Sequence, residues 1–534
     1  MKQFISASHI EEAARKGQKS YPVQKGAIIT PSARDAANNH NITLVEGTKT
    51  DGNHDGSPPS QSVQEARDLA RAGKKASDTI ASFDEVQIER IILAMVKAAE
   101  ASAVELAEMA AEETGFGKVE DKTFKNLLAS TELYKYIRDK KTVGIIREDT
   151  ANKIIEIADP MGLLLGIIPS TNPTSTTIFK AIIALKARNG IVFSPHPSAA
   201  KCTYKAAQIM HSAAVSAGAP EGIIGCLENL SVNATNELMK CKEVALIIAT
   251  GGSAMVKAAY SAGKPALGVG PGNVPAYIER TANVPKAVAN IIASKTFDYG
   301  TICASEQSVI VEDHMREQVI AEFKRQGGYF MTAEETAKVS AKLFKKGFAM
   351  NAELVGRSPQ VIAEAAGISI PAGTTVLLGE QEGVGENFPL SYEKLTTVLA
   401  FYTVRNWVEA CELSIELLKN GGIGHTFALH SEDRDIVLKF AEKPVFRILV
   451  NTGSTQGAVG ASTALPPSFT LGSGTWGGSS TSDNVGPEHL INIKRIAYGT
   501  KDITATPSPR QPSQPVSEER LLALVNELMD ALKT

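Results

Sequence analysis

The chain has 534 residues, 43% hydrophobic and 21% charged, a globular composition with room for about three structural units. Its 55 Lys and Arg against 58 Asp and Glu leave a net charge of −3, too little basic surplus to hold nucleic acid by counterion release. No apolar run nears the roughly 18 residues of a membrane span, acidic residues interrupt the amino terminus where a secretory signal would be apolar, and five scattered cysteines (Cys202, Cys226, Cys241, Cys303, Cys411) lack a CxxC, so a cytoplasmic protein with free thiols and no metal cluster is expected.

In chain order, residues 1–46 form an amino-terminal extension. Residues 47–62, GTKTDGNHDGSPPSQS, are too small and polar to bury apolar surface and read as a linker. A helical pattern spans 65–106, and 141–160, KTVGIIREDTANKIIEIADP, alternates as a β-hairpin. Short apolar runs follow at 163–168, 191–193, 223–227 and 244–249, separated by amphipathic stretches at 175–188 and 198–217 that suit crossover helices. This alternation predicts a parallel sheet buried on both faces, for which a nucleotide is the natural ligand. Residues 504–516, TATPSPRQPSQPV, carry four prolines and predict an extended spacer. Within 517–534, Ser517 is placed as an N-cap, and Leu521, Leu524, Val525, Leu528 and Leu532 recur on one face of a short helix. Such a stripe needs a partner, either the chain's own body or a groove of another protein.

A few residues have the right type and place for chemistry. Cys303, in TFDYGTICASEQSVI at 296–310, sits among small residues between apolar segments, as a nucleophile or as a small buried hydrophobe. Asn172, in IIPSTNPTS at 167–175, falls just past a strand end; its amide either donates to a developing oxyanion or serves the turn before Pro173. VALIIATGGSAMVKAAY at 244–260 reads as strand, glycine turn and helix start, so Gly251, Gly252 and Ser253 can offer backbone N–H groups to a phosphate. GVGPGN at 268–273 fits neither GxGxxG nor the phosphate-loop pattern and reads equally as a tight turn.

Taken in order, IIPSTNPTSTTIFKA, IVFSPHPSA, ATGGSAMVKAAYSAGKPALGVGPGN, FDYGTICASEQSVIVE, EKLTTVLAFY, GGIGHTFALH and VGPEHLINIKRIA resemble the CoA-acylating branch of the aldehyde dehydrogenase superfamily, over about residues 62–500. Aldehyde dehydrogenases of bacterial microcompartments and the dehydrogenase half of bifunctional alcohol/aldehyde enzymes are the nearest in pattern. The resemblance implies an α/β fold with two Rossmann-like parallel-sheet domains and an oligomerisation β-hairpin. The cofactor-binding domain falls on 63–139 and 161–267, the arm on 140–160 and 486–503, and the catalytic domain on 268–485. It implies Cys303 as nucleophile, Asn172 as oxyanion-stabilising amide and NAD as cofactor. The cofactor contacts fall on Ser170, Thr171, Ser194, Pro195, His196, Thr250, Gly251, Gly252, Ser253, Val256, Gly270, Glu393 and Leu395, with Glu393 holding the nicotinamide ribose hydroxyls. Thr301 and Ile302 are expected to shape a pocket for a two- or three-carbon aldehyde, and His425 to bind CoA or to satisfy a turn.

Two departures from the hydrolytic branch matter. Hydrolytic members place a glutamate general base before Leu-Gly-Gly-Lys, where this chain has Gly268 in LGVGPGN. Without that base water attacks a thioester slowly, while a thiol supplies its own thiolate, so CoA is the expected acceptor and coenzyme A a co-substrate. The ribose-binding Lys-Pro-x-Glu is replaced by Ser194, Pro195, His196 and Pro197, which leaves NAD over NADP to the resemblance. ITPSARDAANNHNI at 29–42 resembles an amino-terminal motif of microcompartment-associated proteins, and the 517–534 helix resembles an encapsulation peptide; both imply packing inside a shell, with shell proteins as partners and a homodimer or homotetramer as the assembly. Acetaldehyde and propionaldehyde both fit as substrates. The competing readings are an acyl-phosphate reductase of the same fold, disfavoured because the segment around Cys303 carries no basic residue, and a catalytically silent scaffold, disfavoured by the joint presence of cysteine, amide and glutamate.

Overall fold

The computed structural model describes residues 4–15, 20–24, 27–40, 42–47, 59–345, 347–501 and 517–532. It divides into two units, Met1–Ser60 and Gln61–Thr534. In the first, strands Phe4–Ile5 and Ile28–Ile29 pair in parallel, as do Ser20–Gln24 and Thr43–Gly47, alongside helices Ala7–Arg15 and Pro31–Asn39. The second helix is written into its sequence: Thr30 Oγ1 accepts the Ala33 N–H at 3.1 Å, and Pro31 occupies the first turn, where its missing N–H costs nothing. Ile5, Ile10, Val23, Ala33 and Ile42 close a small apolar core. The linker predicted at 47–62 falls mainly on residues 48–58, outside the described residues.

In the second unit the single helical pattern at 65–106 becomes three helices, Gln61–Ile80, Glu85–Ala101 and Ala103–Thr114. The first break is chemical: Asp84 Oδ1 accepts the Gln87 N–H at 2.8 Å and Gln87 Oε1 accepts the Asp84 N–H at 2.9 Å, a capping box that starts a new helix. The face carrying Ile88, Ile91, Ile92 and Met95 packs into the same core as Ile182 and Leu185 of helix Pro173–Lys186, each such side chain contributing roughly 1.5–3 kcal/mol by burial.

One parallel sheet has the strand order Ala266–Val269, Val244–Thr250, Leu163–Ile167, Gly190–Ser194 and Ile224–Cys226. Strands leave Leu163–Ile167 in opposite directions, so the crevice of this sheet opens at the carboxyl ends of Leu163–Ile167 and Val244–Thr250. Lys180, fully buried, ties those two strands together by donating to Ile167 O at 2.7 Å and Ile248 O at 2.9 Å. A second parallel sheet of seven strands runs Gly328–Phe330, Val376–Glu380, Val398–Val404, Glu306–Glu312, Val274–Ile278, Phe427–His430 and Ile448–Val450. A third, antiparallel sheet joins Ile491–Ala497 to Ile154–Pro160 and that strand to Gly144–Asp149.

Helix Glu518–Ala531 ends the described chain with Ser517 at the N-cap position, although the serine side chain makes no capping bond. Its Leu521, Leu524, Val525 and Leu528 are 55%, 51%, 51% and 62% exposed, so the apolar stripe is not laid on the chain's own body. The spacer predicted at 504–516 lies outside the described residues. No helix among the described residues is long and apolar enough to cross a membrane.

Candidate active site

The two large sheets contribute opposite ends to one constellation. From the first, Ser170–Asn172 and Thr250–Ser253 follow the carboxyl ends of Leu163–Ile167 and Val244–Thr250. From the second, Cys303, Gly272, Glu393 and His425 stand on the loops that enter the amino ends of Glu306–Glu312, Val274–Ile278, Val398–Val404 and Phe427–His430, four consecutive neighbours in strand order. Residues up to 153 positions apart in sequence are thereby gathered at one end of one sheet, 272 to 425 being the widest separation.

Gly272 is the contact point. A Cβ there would lie 2.0 Å from Cys303 O and 3.3 Å from His425 Cε1, so only glycine lets the two loops close on each other. Its N–H donates to Glu393 Oε1 at 3.0 Å. Burial, and then the Glu393 charge, push the Cys303 thiol up to about 12, against the opposing pull of Arg447 and Lys125. Burial likewise raises the Glu393 carboxyl to about 7, offset by the Gly272 N–H and by Lys295. His425 is fully buried and held down to about 3 by burial and the Arg447 charge, so its ring is neutral. Its Nδ1 pairs with Thr426 Oγ1 at 2.8 Å, and its Nε2 has no partner among the described residues.

On the other side of the thiol lies a charged cluster that sequence patterning missed. Lys125 Nζ donates to Asn172 Oδ1 at 2.7 Å, to Thr301 Oγ1 at 3.0 Å and to Asp298 Oδ2, and Lys122 Nζ reaches the same Asp298 oxygen at 2.9 Å. Asn172 Nδ2 donates to Thr171 Oγ1 at 3.1 Å. Lys122 and Lys125, in KVEDKTFKNL, look like two solvated helix lysines; nothing in their spacing betrays burial. The segment around Cys303 itself carries no basic residue, as expected, but the fold brings in Lys125 and Arg447 from outside it. Both are spent on protein partners: Arg447 donates to Asn484 Oδ1 at 2.9 Å, His425 O at 3.0 Å and Gly472 O at 3.3 Å. Thr301, expected at the aldehyde pocket, is 1% exposed, and its hydroxyl is committed to Asp298 and Lys125; Ile302 is buried in the core cluster against which Cys303 packs.

Gly268, the position at which the hydrolytic pattern has its glutamate, has no space for any side chain. A Cβ there would lie 2.7 Å from Tyr260 Cε2 and 2.8 Å from Val256 Cγ1. The Tyr260 hydroxyl accepts the N–H groups of Gly268 and Ser480, each at 2.9 Å. The carboxyl whose charge reaches the Cys303 thiol is that of Glu393, which arrives from the opposite sheet.

The crevice at Thr250 suits a dinucleotide. Helix Ser253–Tyr260 begins without a side-chain cap, a Cβ on Gly252 would meet open space, and the buried Thr250 Oγ1 lacks a partner among the described residues. Free N–H groups at a helix start together with an unsatisfied hydroxyl are donors for a pyrophosphate. Val256 is buried behind them, Gly270 also faces open space, and Ser170 and Thr171 are half-buried beside Asn172. Ser194 Oγ is paired with Thr235 Oγ1 at 2.8 Å, Pro195 is buried, and exposed His196 accepts the Ser198 N–H at 3.2 Å to cap a short turn; residues 194–197, SPHP, thus bring no carboxylate of their own to select a free ribose 2′-hydroxyl. Leu395 is anchored through its carbonyl, which accepts the Gly356 N–H at 2.8 Å.

Comparison with known proteins agrees with this arrangement. A profile of the aldehyde dehydrogenase family matches residues 40–342. The bifunctional aldehyde-alcohol dehydrogenase of Escherichia coli K12 is 46% identical over 441 residues, 82% of this chain and 49% of that protein, so the chain spans about half the length of this curated relative. An acetylating aldehyde dehydrogenase of Geobacillus thermoglucosidasius superposes with a TM-score of 0.82 at 53% identity, covering 84% of this chain and 99% of its own. A propionaldehyde dehydrogenase from the fucose-utilisation microcompartment of Clostridium phytofermentans superposes with a TM-score of 0.75 at 26% identity, covering 81% of this chain and 97% of its own.

Proposed function

From the premise that this chain belongs to the aldehyde dehydrogenase family, we propose that it oxidises a short aliphatic aldehyde, propionaldehyde or acetaldehyde, to its acyl-CoA with NAD through a thioester on Cys303. The observation that carries this reading is the closed space at Gly268, where Tyr260 fills the position of the hydrolytic pattern's carboxylate, four residues before the Gly272 that meets Cys303 and Glu393.

Cys303 gives up its thiol proton to solvent, the proton that the net oxidation releases, and the thiolate adds to the aldehyde carbon; the oxyanion that forms is held by Asn172 Nδ2 and the Cys303 backbone N–H, donors worth about 2.7–4 kcal/mol each in such sites. Bound nicotinamide supplies the hydride acceptor. Glu393 would hold its ribose, and Thr250, Gly251, Gly252 and Ser253 its pyrophosphate. The acyl group is then left on Cys303. His425 stands against Gly272, which meets the Cys303 carbonyl, and its neutral ring keeps Nε2 without a partner among the described residues; that nitrogen accepts the S–H of incoming CoA and orients it, and as CoA sulfur takes the acyl group its proton passes to the departing Cys303 sulfur. With its titration near 3, this histidine is a hydrogen-bond acceptor rather than a store for the proton.

The assembly completes the proposal. The exposed stripe of helix Glu518–Ala531 is suited to a shell-protein groove inside a bacterial microcompartment, and the exposed Ile145, Ile493 and Ile496 of the three-stranded arm suit a homodimer or homotetramer. The test of the chemistry is direct. Incubation with aldehyde and NAD in the absence of CoA should leave an acyl group on Cys303, detected by peptide mass spectrometry and discharged when CoA is added; an unmodified Cys303 under turnover conditions overturns the reading.

A further inference from the structure

We propose that Lys125 is the positioning residue of the oxyanion site: its ammonium fixes the Asn172 amide with Nδ2 facing the reacting carbon and ties that amide to the turn that carries Cys303. The inference rests on the thioester reading above and assigns a role that reading lacks.

The orientation follows from valence. An asparagine amide can be turned end for end with little change in shape, but a lysine ammonium has three donors and no acceptor. At 2.7 Å from Lys125 Nζ the amide must present Oδ1, because the flipped form would set NH₂ against NH₃⁺. Nδ2 is thereby turned away from the cluster; one of its hydrogens goes to Thr171 Oγ1 at 3.1 Å and the other remains for an oxyanion.

The same ammonium acts on the other half of the hole. Asp298 and Tyr299 have φ of +48° and +52° and are followed by Gly300 at +75°, a left-handed run that non-glycine residues adopt at a cost of roughly 1–2 kcal/mol each. That run immediately precedes Thr301–Cys303, whose backbone N–H is the second donor. Asp298 is pinned from several sides: its N–H donates to Asp121 Oδ2 at 2.7 Å, its Oδ1 accepts the Lys118 N–H at 2.7 Å, and its Oδ2 takes Lys122, Lys125 and the Thr301 hydroxyl. One lysine would neutralise Asp298, and Lys122 does so at 2.9 Å. The second leaves the buried trio of Lys122, Lys125 and Asp298 with a surplus positive charge, placed against Asn172 where negative charge develops during the reaction. Keeping an ammonium 1% exposed is costly, and burial brings Lys125 down to about 8; a purely structural site would be served as well by an apolar side chain.

A double-mutant cycle tests the claim. Lys125→Met should lower kcat for NADH formation about 10–100-fold at saturating NAD and CoA while leaving the aldehyde KM within about threefold, because only the transition state is affected. Added to Asn172→Ala, the same substitution should lower kcat by clearly less than it does alone, since the amide it positions is gone and only its hold on the Cys303 turn remains. Lys122→Met also removes one positive charge from the trio and releases the Thr171 carbonyl, but leaves the Lys125 bond to Asn172 Oδ1; it should lose comparable thermal stability, lower kcat less than Lys125→Met does, and multiply with Asn172→Ala instead of being masked by it. Lys125→Leu, which likewise has no donor for Oδ1, repeats the cycle if the methionine variant is unstable. A Lys125 variant with wild-type kcat, or losses that multiply in the double variant, overturns the proposal. If instead the unmodified enzyme forms no acyl group on Cys303, the thioester reading fails, and the two failures are separate.

Discussion

Replacing Gly268 with alanine puts a methyl carbon 2.7 Å from Tyr260 Cε2 and 2.8 Å from Val256 Cγ1, where a normal carbon contact is about 3.5–4.0 Å. The ring cannot simply swing aside. Its hydroxyl accepts the N–H groups of Gly268 and Ser480, each at 2.9 Å, and releasing both costs about 0.5–1.5 kcal/mol per bond. Keeping the ring in place means overpacking, at about 1–3 kcal/mol, so either route predicts a loss of that order. Thermal unfolding of Gly268→Ala, Tyr260→Ala and the double variant measures it. With the ring removed the methyl has room, so the second substitution should cost much less than it does alone, a coupling of about 1–2 kcal/mol. Gly268→Glu in the wild-type background should be destabilised further and should gain no CoA-independent turnover, because its carboxylate cannot occupy the volume of the phenol. Gly268→Ala as stable as the parent, or strictly additive costs, would refute the packing argument and with it the claim that this chain has closed the hydrolytic base position.

Three further outcomes follow from the site and the tail. Glu393 is neutral below about pH 7 and ionised above it, so if its carboxylate accepts the ribose hydroxyls the KM for NAD should fall between about pH 6 and pH 8, and Glu393→Gln should flatten that profile. The same variant removes a negative charge that holds the thiol protonated, so Cys303 should be alkylated by iodoacetamide faster than in the parent at equal pH; slower alkylation would contradict the electrostatics. Deleting residues 504–534 should leave NADH formation unchanged and abolish co-purification with shell proteins, whereas retained co-purification would remove the tag from the account.

The sequence is most legible where local pattern and global fold agree. Apolar runs at 163–168, 191–193, 223–227 and 244–249 are strands of one parallel sheet, because complete burial on both faces leaves a strand no reason to alternate. The 141–160 alternation is two antiparallel strands, to which Ile491–Ala497 adds from far along the chain, a pairing no local signal announces. Long helices are less legible. The 65–106 pattern conceals two breaks, one of them the Asp84 and Gln87 capping box, visible in the sequence only as an Asp three residues before a Gln. Chemistry splits in the same way. Cys303, Asn172, Glu393 and His425 were reachable through motif resemblance, but the groups that set their electrostatics were not. Lys125, Asp298 and Arg447 act through burial and a strained turn, and charge patterning treats a buried lysine on an amphipathic helix as a solvated one.

The account stands on the fate of the acyl group on one sulfur. NADH formation from propionaldehyde and acetaldehyde, measured with and without CoA while acyl-CoA and free acid are both quantified, tests it most directly. The predicted result is acyl-CoA as the product and a rate at least about 10²-fold higher with CoA, the scale of a missing general base. Equal rates without CoA, or free carboxylic acid as the main product, would contradict it.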